Sequence, residues 1–115
     1  MDAIADVKTL IPVYKSHCER RFSGLGATLL AAHFGAECLR FDYEPLRFKV
    51  PGGFYTPDWL CLLSDGRVIL AEVKGSRKQK NYRDARSKLR AAKAMYPWWV
   101  WCEVVESEGW TVEVI

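Results

Sequence analysis

Two acids and a lysine form the most reactive pattern in the sequence: Asp58, Glu72 and Lys74, with Val73 between the last two. Side chains alternate faces along a strand, so Glu72 and Lys74 would share one face and Val73 would point the other way. A pair of carboxylates with a lysine beside it can bind a divalent cation and prepare a water for attack on phosphate. The pattern therefore indicates metal-assisted hydrolysis of a phosphate ester.

Whether the two carboxylates meet depends on the turn between their strands. A loop of three residues, Ser64-Asp65-Gly66, brings Asp58 opposite Glu72, with Cβ atoms roughly 4.5–5.5 Å apart. A loop of two residues, Asp65-Gly66, is equally compatible with the sequence and would put Asp58 on the opposite face. Like charges that lie so close repel each other, so the first arrangement favours a bound cation.

A strongly basic segment follows the acid–lysine pattern. Nine lysine and arginine residues lie between Lys74 and Lys93, and Asp84 is the one acid among them. Such a segment predicts a polyanionic partner, here nucleic acid, although a plain solvated helix face is the alternative. The best candidates for phosphate contact are Arg77, Lys78, Lys80 and Arg83.

Composition limits the class of protein. The chain has 115 residues, half of them hydrophobic, which predicts a single domain over 1–115. It has no apolar run near 18 residues and no secretory pattern at its start, so we expect no membrane span. The four cysteines are scattered without zinc-ligand spacing, which predicts buried free thiols and a cytoplasmic protein. They are Cys18, Cys38, Cys61 and Cys102.

The elements that position these residues can be predicted from periodicity and from caps. Ser16 and Glu19 form a capping box that begins a helix ending near Gly35, with Gly24 and Gly26 weakening it inside. Glu19 is therefore either a helix cap or an acid of the site. The remaining predicted elements are strands within 38–50, bent at Pro45, a hairpin of 55–63 and 67–74, a helix over 81–95, and strands over 98–102 and 110–115. This order predicts an α/β fold with a mixed sheet of four to five strands between helices.

The element order and four phrases together resemble the PD-(D/E)XK nuclease superfamily, especially its small phage and transposition nucleases. The resemblance implies a restriction-endonuclease-like αβββαβ core. It implies that Asp58, Glu72 and the backbone carbonyl of Val73 bind Mg²⁺, for which Mn²⁺ can substitute. Lys74 would orient water or stabilise the phosphate, and Glu19 would complete the acidic cluster. The phrases are Tyr14-Lys15-Ser16 with Glu19-Arg20-Arg21-Phe22, Tyr43-Glu44-Pro45, Tyr55-Thr56-Pro57-Asp58, and Glu72-Val73-Lys74-Gly75.

The expected function is that of a magnesium-dependent endodeoxyribonuclease acting on branched DNA such as a Holliday junction. A chain of this length has little room for sequence-reading elements, whereas recognition of a junction needs mainly phosphate contacts and shape. A symmetric junction would favour a homodimer, and neither a nucleotide cofactor nor a membrane is expected. The alternative is a catalytically inert DNA-binding or assembly subunit of a phage or transposition complex.

Overall fold

The computed structural model describes residues 14, 16–75 and 82–115. Its elements follow the predicted order, with one additional short hairpin. They are α1 (His17–Phe34), β1 (Cys38–Tyr43), β2 (Phe48–Val50), β3 (Gly53–Tyr55), β4 (Trp59–Leu63), β5 (Val68–Lys74), α2 (Tyr82–Met95), β6 (Val100–Glu106) and β7 (Trp110–Val114).

Five strands form one mixed sheet in the order β1-β4-β5-β6-β7. Neighbouring strands are antiparallel except β5 and β6, which are parallel because α2 carries the chain back across the sheet. Strands β2 and β3 form a separate two-stranded sheet. The predicted α/β class with a mixed sheet is confirmed, while the specific nuclease core stays a prediction.

Each face of the sheet has its own apolar core. On one face, Phe22 and Leu30 of α1 pack with Trp59, Ile69 and Val104 of the sheet. On the other face, the β2–β3 hairpin and α2 cover Leu70 of β5 and Trp101 of β6. That second core contains Phe48, Val50, Tyr55, Leu70, Leu89, Ala92 and Trp101.

Helix α1 begins and ends where its capping residues predict. The hydroxyl of Ser16 accepts a hydrogen bond from the Glu19 amide at 3.1 Å, which satisfies one of the free donors at the helix start. Gly35 ends the helix in the left-handed region, with φ at 70°, a conformation that glycine adopts without steric cost.

The hairpin of β4 and β5 has the three-residue loop. The Leu63 amide donates to the Arg67 carbonyl at 2.9 Å, and the strands pair Cys61 with Ile69 and Trp59 with Ala71. This register is the one expected for Ser64-Asp65-Gly66, so the alternative two-residue turn is wrong.

The strand predicted over 98–102 begins later and extends further than expected. Strand β6 starts at Val100 and continues to Glu106, whereas Trp98 lies before it and is 69% exposed. Trp99 packs beside the Phe48 ring, with centroids 5.1 Å apart. The prediction failed at this end because three clustered tryptophans resemble a buried strand, although Pro97 and the two residues after it form the turn from α2.

The four cysteines lie in the described part of the chain. All four cysteines are free thiols; Cys38 is half-buried and the other three are buried. Burial raises the pKa of Cys18 to about 11 and that of Cys102 to about 12, which favours the neutral thiol. No helix within the described residues is long and apolar enough to cross a membrane.

Candidate active site

Asp58 and Glu72 meet at one edge of the sheet, where β4 begins and β5 ends. Because Trp59 pairs with Ala71 in an antiparallel register, the residues just beyond them face each other. Trp59 and Ala71 belong to the core under α1, so by alternation both carboxylates project from the face that α2 covers. The structure thus brings together the two acids that the sequence predicted to converge.

Both acids are buried, which makes their negative charges costly. Asp58 is 8% exposed and Glu72 is 6% exposed. Burial, followed by the charge of Glu72, raises the pKa of Asp58 well above its usual range. Burial raises the pKa of Glu72 as well, against the opposing effects of its hydrogen bond with Asp58 and the charge of Lys74. Two carboxyl groups in this position share a proton or bind a cation.

The hydrogen bonds around the two carboxylates leave one of their oxygens available for a cation. Oδ2 of Asp58 accepts a hydrogen bond from the Val73 amide at 2.8 Å, which fixes its orientation. Oε2 of Glu72 is buried, and none of the described residues gives it a hydrogen-bond partner. A buried carboxylate oxygen without a protein donor is an unfavourable arrangement. Carboxylate and carbonyl oxygens are the donors that Mg²⁺ prefers, so this set fits the predicted metal.

Lys74 lies on the same face as Glu72, two residues further along β5. Its Nζ is 4.0 Å from Oε1 of Glu72, and its side chain is 18% exposed. The ammonium group is therefore close enough to influence the carboxylate electrostatically, yet it is not buried beneath it. This position beside the acids agrees with the predicted placement of the lysine at the site.

Glu19 approaches the same edge from α1. It is 6% exposed, and its Oε2 accepts a hydrogen bond from the Tyr43 hydroxyl at 3.0 Å. Its charge contributes to the raised pKa of Asp58 and of Glu72. The backbone amide of Glu19 donates to the helix cap at Ser16, whereas its carboxylate contacts Tyr43 and lies within electrostatic range of the two acids.

The acids do not gather into a group of three that would hold a metal. Within the described residues, no cluster of three or more histidine, cysteine, aspartate or glutamate side chains is positioned to bind one ion. A cation at this edge would therefore rely on Asp58 and Glu72, completed by backbone and water oxygens.

The acid pair opens into a cleft with a volume of about 220 Å³. Glu44 contributes to its wall with φ at 46°, a left-handed conformation that non-glycine residues seldom adopt. The Glu44 amide donates to the Asp58 carbonyl at 2.8 Å, which brings the end of β1 to the site. Asp84 and Lys88 of α2 also line the cleft, and they form an ion pair in which Nζ of Lys88 lies 3.6 Å from Oδ2 of Asp84. The full lining is Glu44, Phe54, Tyr55, Thr56, Asp58, Glu72, Asp84, Ala85 and Lys88.

A fourth buried acid, Glu103 of β6, lies beside Glu72 of β5. The parallel register pairs the two residues, and Glu103 is 1% exposed. Arg86 of α2 contacts Oε1 of Glu103 at 3.1 Å and Oε1 of Glu113 on β7 at 3.0 Å. Sequence reasoning did not assign Glu103 to the site; its signal was a charge inside the otherwise apolar run Trp101–Val105.

The predicted DNA-contacting residues are only partly within the described chain. Arg77, Lys78 and Lys80 lie outside the described residues. Arg83 is exposed and lines a separate basic cleft of about 430 Å³ along α2, together with Arg86, Ser87 and Arg90.

Comparison with known proteins adds no identification. The chain matches no family model, no curated protein and no solved structure at a significant level. The resemblance to the nuclease superfamily therefore depends on the sequence phrases, and the arrangement of the site is the basis for a functional proposal.

Proposed function

We propose that this chain is a metal-dependent endodeoxyribonuclease that hydrolyses phosphodiester bonds in branched or structured DNA. One observation carries the proposal: the buried carboxylates of Asp58 and Glu72 face each other with Lys74 beside them. Burial of the pair is costly, and Oε2 of Glu72 has no hydrogen-bond partner in the described chain. A bound cation would offset that cost.

The side chains at this edge divide the chemistry between them. Asp58, Glu72 and the carbonyl of Val73 would hold Mg²⁺ or Mn²⁺, which when bound supplies water activation and neutralisation of phosphate charge. The Val73 amide keeps the Asp58 carboxylate in place. Lys74, whose Nζ lies 4.0 Å from Oε1 of Glu72, would stabilise the extra negative charge that develops on the phosphate as it is attacked.

DNA is the polyanion that best suits the surface. Arg83 and Arg90 are exposed on α2, the same helix whose Asp84 and Lys88 line the cleft. Phosphate contacts of this kind position a nucleic acid without reading its sequence. Recognition through shape, as in a junction or flap, is therefore the mode that this small chain supports best.

The direct test is cleavage of labelled four-way, flap and linear duplex DNA by the purified chain, with Mg²⁺ and then with chelator. We expect Mg²⁺-dependent cutting, faster on the branched substrates. Lys74→Ala should lower cleavage by at least about a hundredfold, the usual effect of removing a group that stabilises transition-state charge. DNA affinity should remain close to that of the wild-type chain.

Lys49→Ala is the matched control, because Lys49 is an exposed lysine outside the lining of the cleft. It should cut DNA like the wild type. A Lys74→Ala chain that cuts as fast as this control would overturn the assignment of Lys74 and the nuclease proposal with it.

A DNA-binding subunit without catalysis is the second candidate. It is favoured by the lack of a three-residue metal cluster in the described chain. Calorimetric titration with Mn²⁺ separates the two candidates, since an inert binder should show no heat of metal binding. Heat that is present in the wild type and absent in Asp58→Asn would support the nuclease.

A further inference from the structure

The β2–β3 hairpin is a rigid wall of the acidic cleft. Its inward side chains Phe48, Val50 and Tyr55 are buried in the core beneath α2. The Phe48 ring lies 5.1 Å from that of Trp101, in an edge-on arrangement. Aromatic packing of this kind fixes the hairpin on the sheet. The hairpin therefore presents its outward side chains from a fixed position.

Phe54 is the outward aromatic residue of this hairpin, and it opens onto the cleft. It is 51% exposed, and it lines the same cleft as Asp58 and Glu72. An exposed aromatic ring in the wall of a cleft offers a flat surface on which another ring can stack. Its neighbour Tyr55 is buried, so the exposure of Phe54 follows from strand alternation and not from a loose hairpin.

Arg47 adds a positive charge to this ring. Its guanidinium carbon lies 4.2 Å from the centroid of the Phe54 ring, within the range of a cation–π contact. Among the described residues, the lining of the cleft contains four acids and one cation, Lys88, so a polyanion that enters it benefits from further positive charge. Arg47 supplies that charge at the side where the aromatic surface lies.

We propose that Phe54 and Arg47 form a stacking platform for an unpaired nucleobase next to the phosphate that is cut. An aromatic side chain can stack only on a base whose flat face is accessible, as in a single strand, a flap or a junction. In a continuous duplex those faces are covered by neighbouring base pairs. The platform thus selects DNA that offers an unstacked nucleotide. This inference rests on the proposed nuclease function and specifies its substrate.

The test separates stacking from cutting. A flap DNA carries 2-aminopurine at its unpaired junction nucleotide, and its fluorescence is measured with the Lys74→Ala chain, which should bind without cutting. Stacking of the 2-aminopurine base on Phe54 should quench its fluorescence. The double variant Lys74→Ala/Phe54→Ala should not quench it. In the otherwise wild-type chain, Phe54→Ala should lower the cleavage ratio of flap to linear duplex at least about fivefold, the lower range for loss of one stacked base.

Two further variants complete the design. Phe54→Trp should restore both quenching and flap preference, because tryptophan also offers a flat ring. Trp98→Ala is the matched control, since Trp98 is an exposed aromatic residue outside the cleft lining, and it should change neither readout.

The outcomes distinguish this inference from the nuclease proposal. Absence of quenching by the Phe54-containing chain overturns the platform whether or not DNA is cut. Unchanged flap preference in Phe54→Ala overturns it while leaving the nuclease intact. Quenching that depends on Phe54, in a chain that cuts no DNA, supports the platform and rejects the nuclease.

Discussion

The close approach of Asp58 and Glu72 is the residue-scale feature on which function depends. Their positions follow from one turn: a three-residue loop sets the register, and the register sets the facing pair. The sequence offered two loops and could not decide between them, because Asp-Gly suits a two-residue turn as well as the end of a longer one. The structure decides the register and with it the convergence of the acids.

The metal-free chain should lose stability as pH rises, through the contribution of this pair. Both carboxyl pKa values are raised in the folded state, so the folded chain retains protons that the unfolded chain releases. The stabilising contribution is therefore full below the ordinary carboxyl pKa of about 4 and declines as pH rises toward the folded values. Urea unfolding of wild type and Asp58→Asn in chelator, between pH 4 and pH 8, measures the difference.

The wild type should lose stability relative to Asp58→Asn as pH increases, because asparagine carries no charge at any of these pH values. Mg²⁺ added at pH 8 should restore stability to the wild type only, since binding to the folded state is stabilising. A wild-type chain whose relative stability increases between pH 4 and pH 8 would contradict this account of the pair.

The position of Glu44 beside Asp58 could not be predicted from the sequence. Glu44 precedes Pro45, which fits a turn as well as a place near the site; its backbone is left-handed and it also lines the cleft. Its position beside Asp58 arises from the pairing of β1 with β4, where Tyr43 faces Trp59. Contacts of this kind depend on strand order, which hydrophobic alternation does not encode.

At the scale of elements, α1 shows why two glycines within a helix need not have the same role. Gly24 and Gly26 both lower helix propensity, and the sequence could not tell them apart. A Cβ on Gly24 would meet nothing within 4 Å, whereas one on Gly26 would lie 2.5 Å from atoms of the Phe22 and Phe41 rings. Gly26 is therefore required for the packing of α1 on the sheet, and Gly24 is not.

Alanine substitutions at the two glycines should have opposite effects. Gly24→Ala should raise the free energy of unfolding by up to about 1 kcal/mol through helix propensity. Gly26→Ala should lower it by about 1–3 kcal/mol, because the added methyl group overpacks the aromatic cluster. Urea denaturation of the two variants against wild type measures both effects, and equal changes at the two positions would argue against the packing of α1 described above.

The arginines of α2 also differ in what they contact. Arg83, Arg86 and Arg90 line one cleft, but Arg86 also contacts Glu103 and Glu113. Its partners belong to neighbouring strands, where Glu103 pairs with Glu113. Two acids side by side on a sheet repel each other, and an arginine between them relieves the repulsion. The sequence concealed this because the register of β6 and β7 cannot be read from it.

Arg86→Met should therefore destabilise the fold and not merely weaken DNA binding. Removing the arginine from the buried carboxylate of Glu103 should cost about 3–5 kcal/mol. The double variant Arg86→Met/Glu103→Met should recover most of that loss, since the buried charge is removed as well. Urea unfolding of both variants measures this, and a stable Arg86→Met single variant would show that the contact is dispensable.

At the scale of the whole molecule, the sequence predicted the type and order of the main elements, but not the separate strand β3, which takes up the start of the predicted strand over 55–63, nor which strands are neighbours. Caps and periodicity identify α1 and α2, and alternation identifies the strands. The placement of the β2–β3 hairpin over the sheet was not predicted, although it builds one wall of the cleft. Local patterns specify elements, whereas the packing of distant segments specifies the cleft.

The distribution of charge over the molecule predicts how DNA affinity responds to salt. Arg83 is exposed and lines the same cleft as Arg90, so it is available to phosphate, whereas Arg86 is engaged by Glu103 and Glu113. Each lost phosphate contact reduces the number of counterions released on binding. Arg83→Ala should therefore weaken binding similarly for all DNA sequences and reduce the slope of log affinity against log salt by about 1.

Fluorescence anisotropy of labelled DNA at several salt concentrations, in the Lys74→Ala background, measures that slope without cleavage. Arg40→Ala is the matched control, because Arg40 is an exposed arginine on β1, paired with Asp42, away from α2. Its slope should equal that of the parent chain. If Arg83→Ala and Arg40→Ala give the same slope, Arg83 makes no phosphate contact, and the basic cleft that it lines on α2 is not the DNA-binding surface.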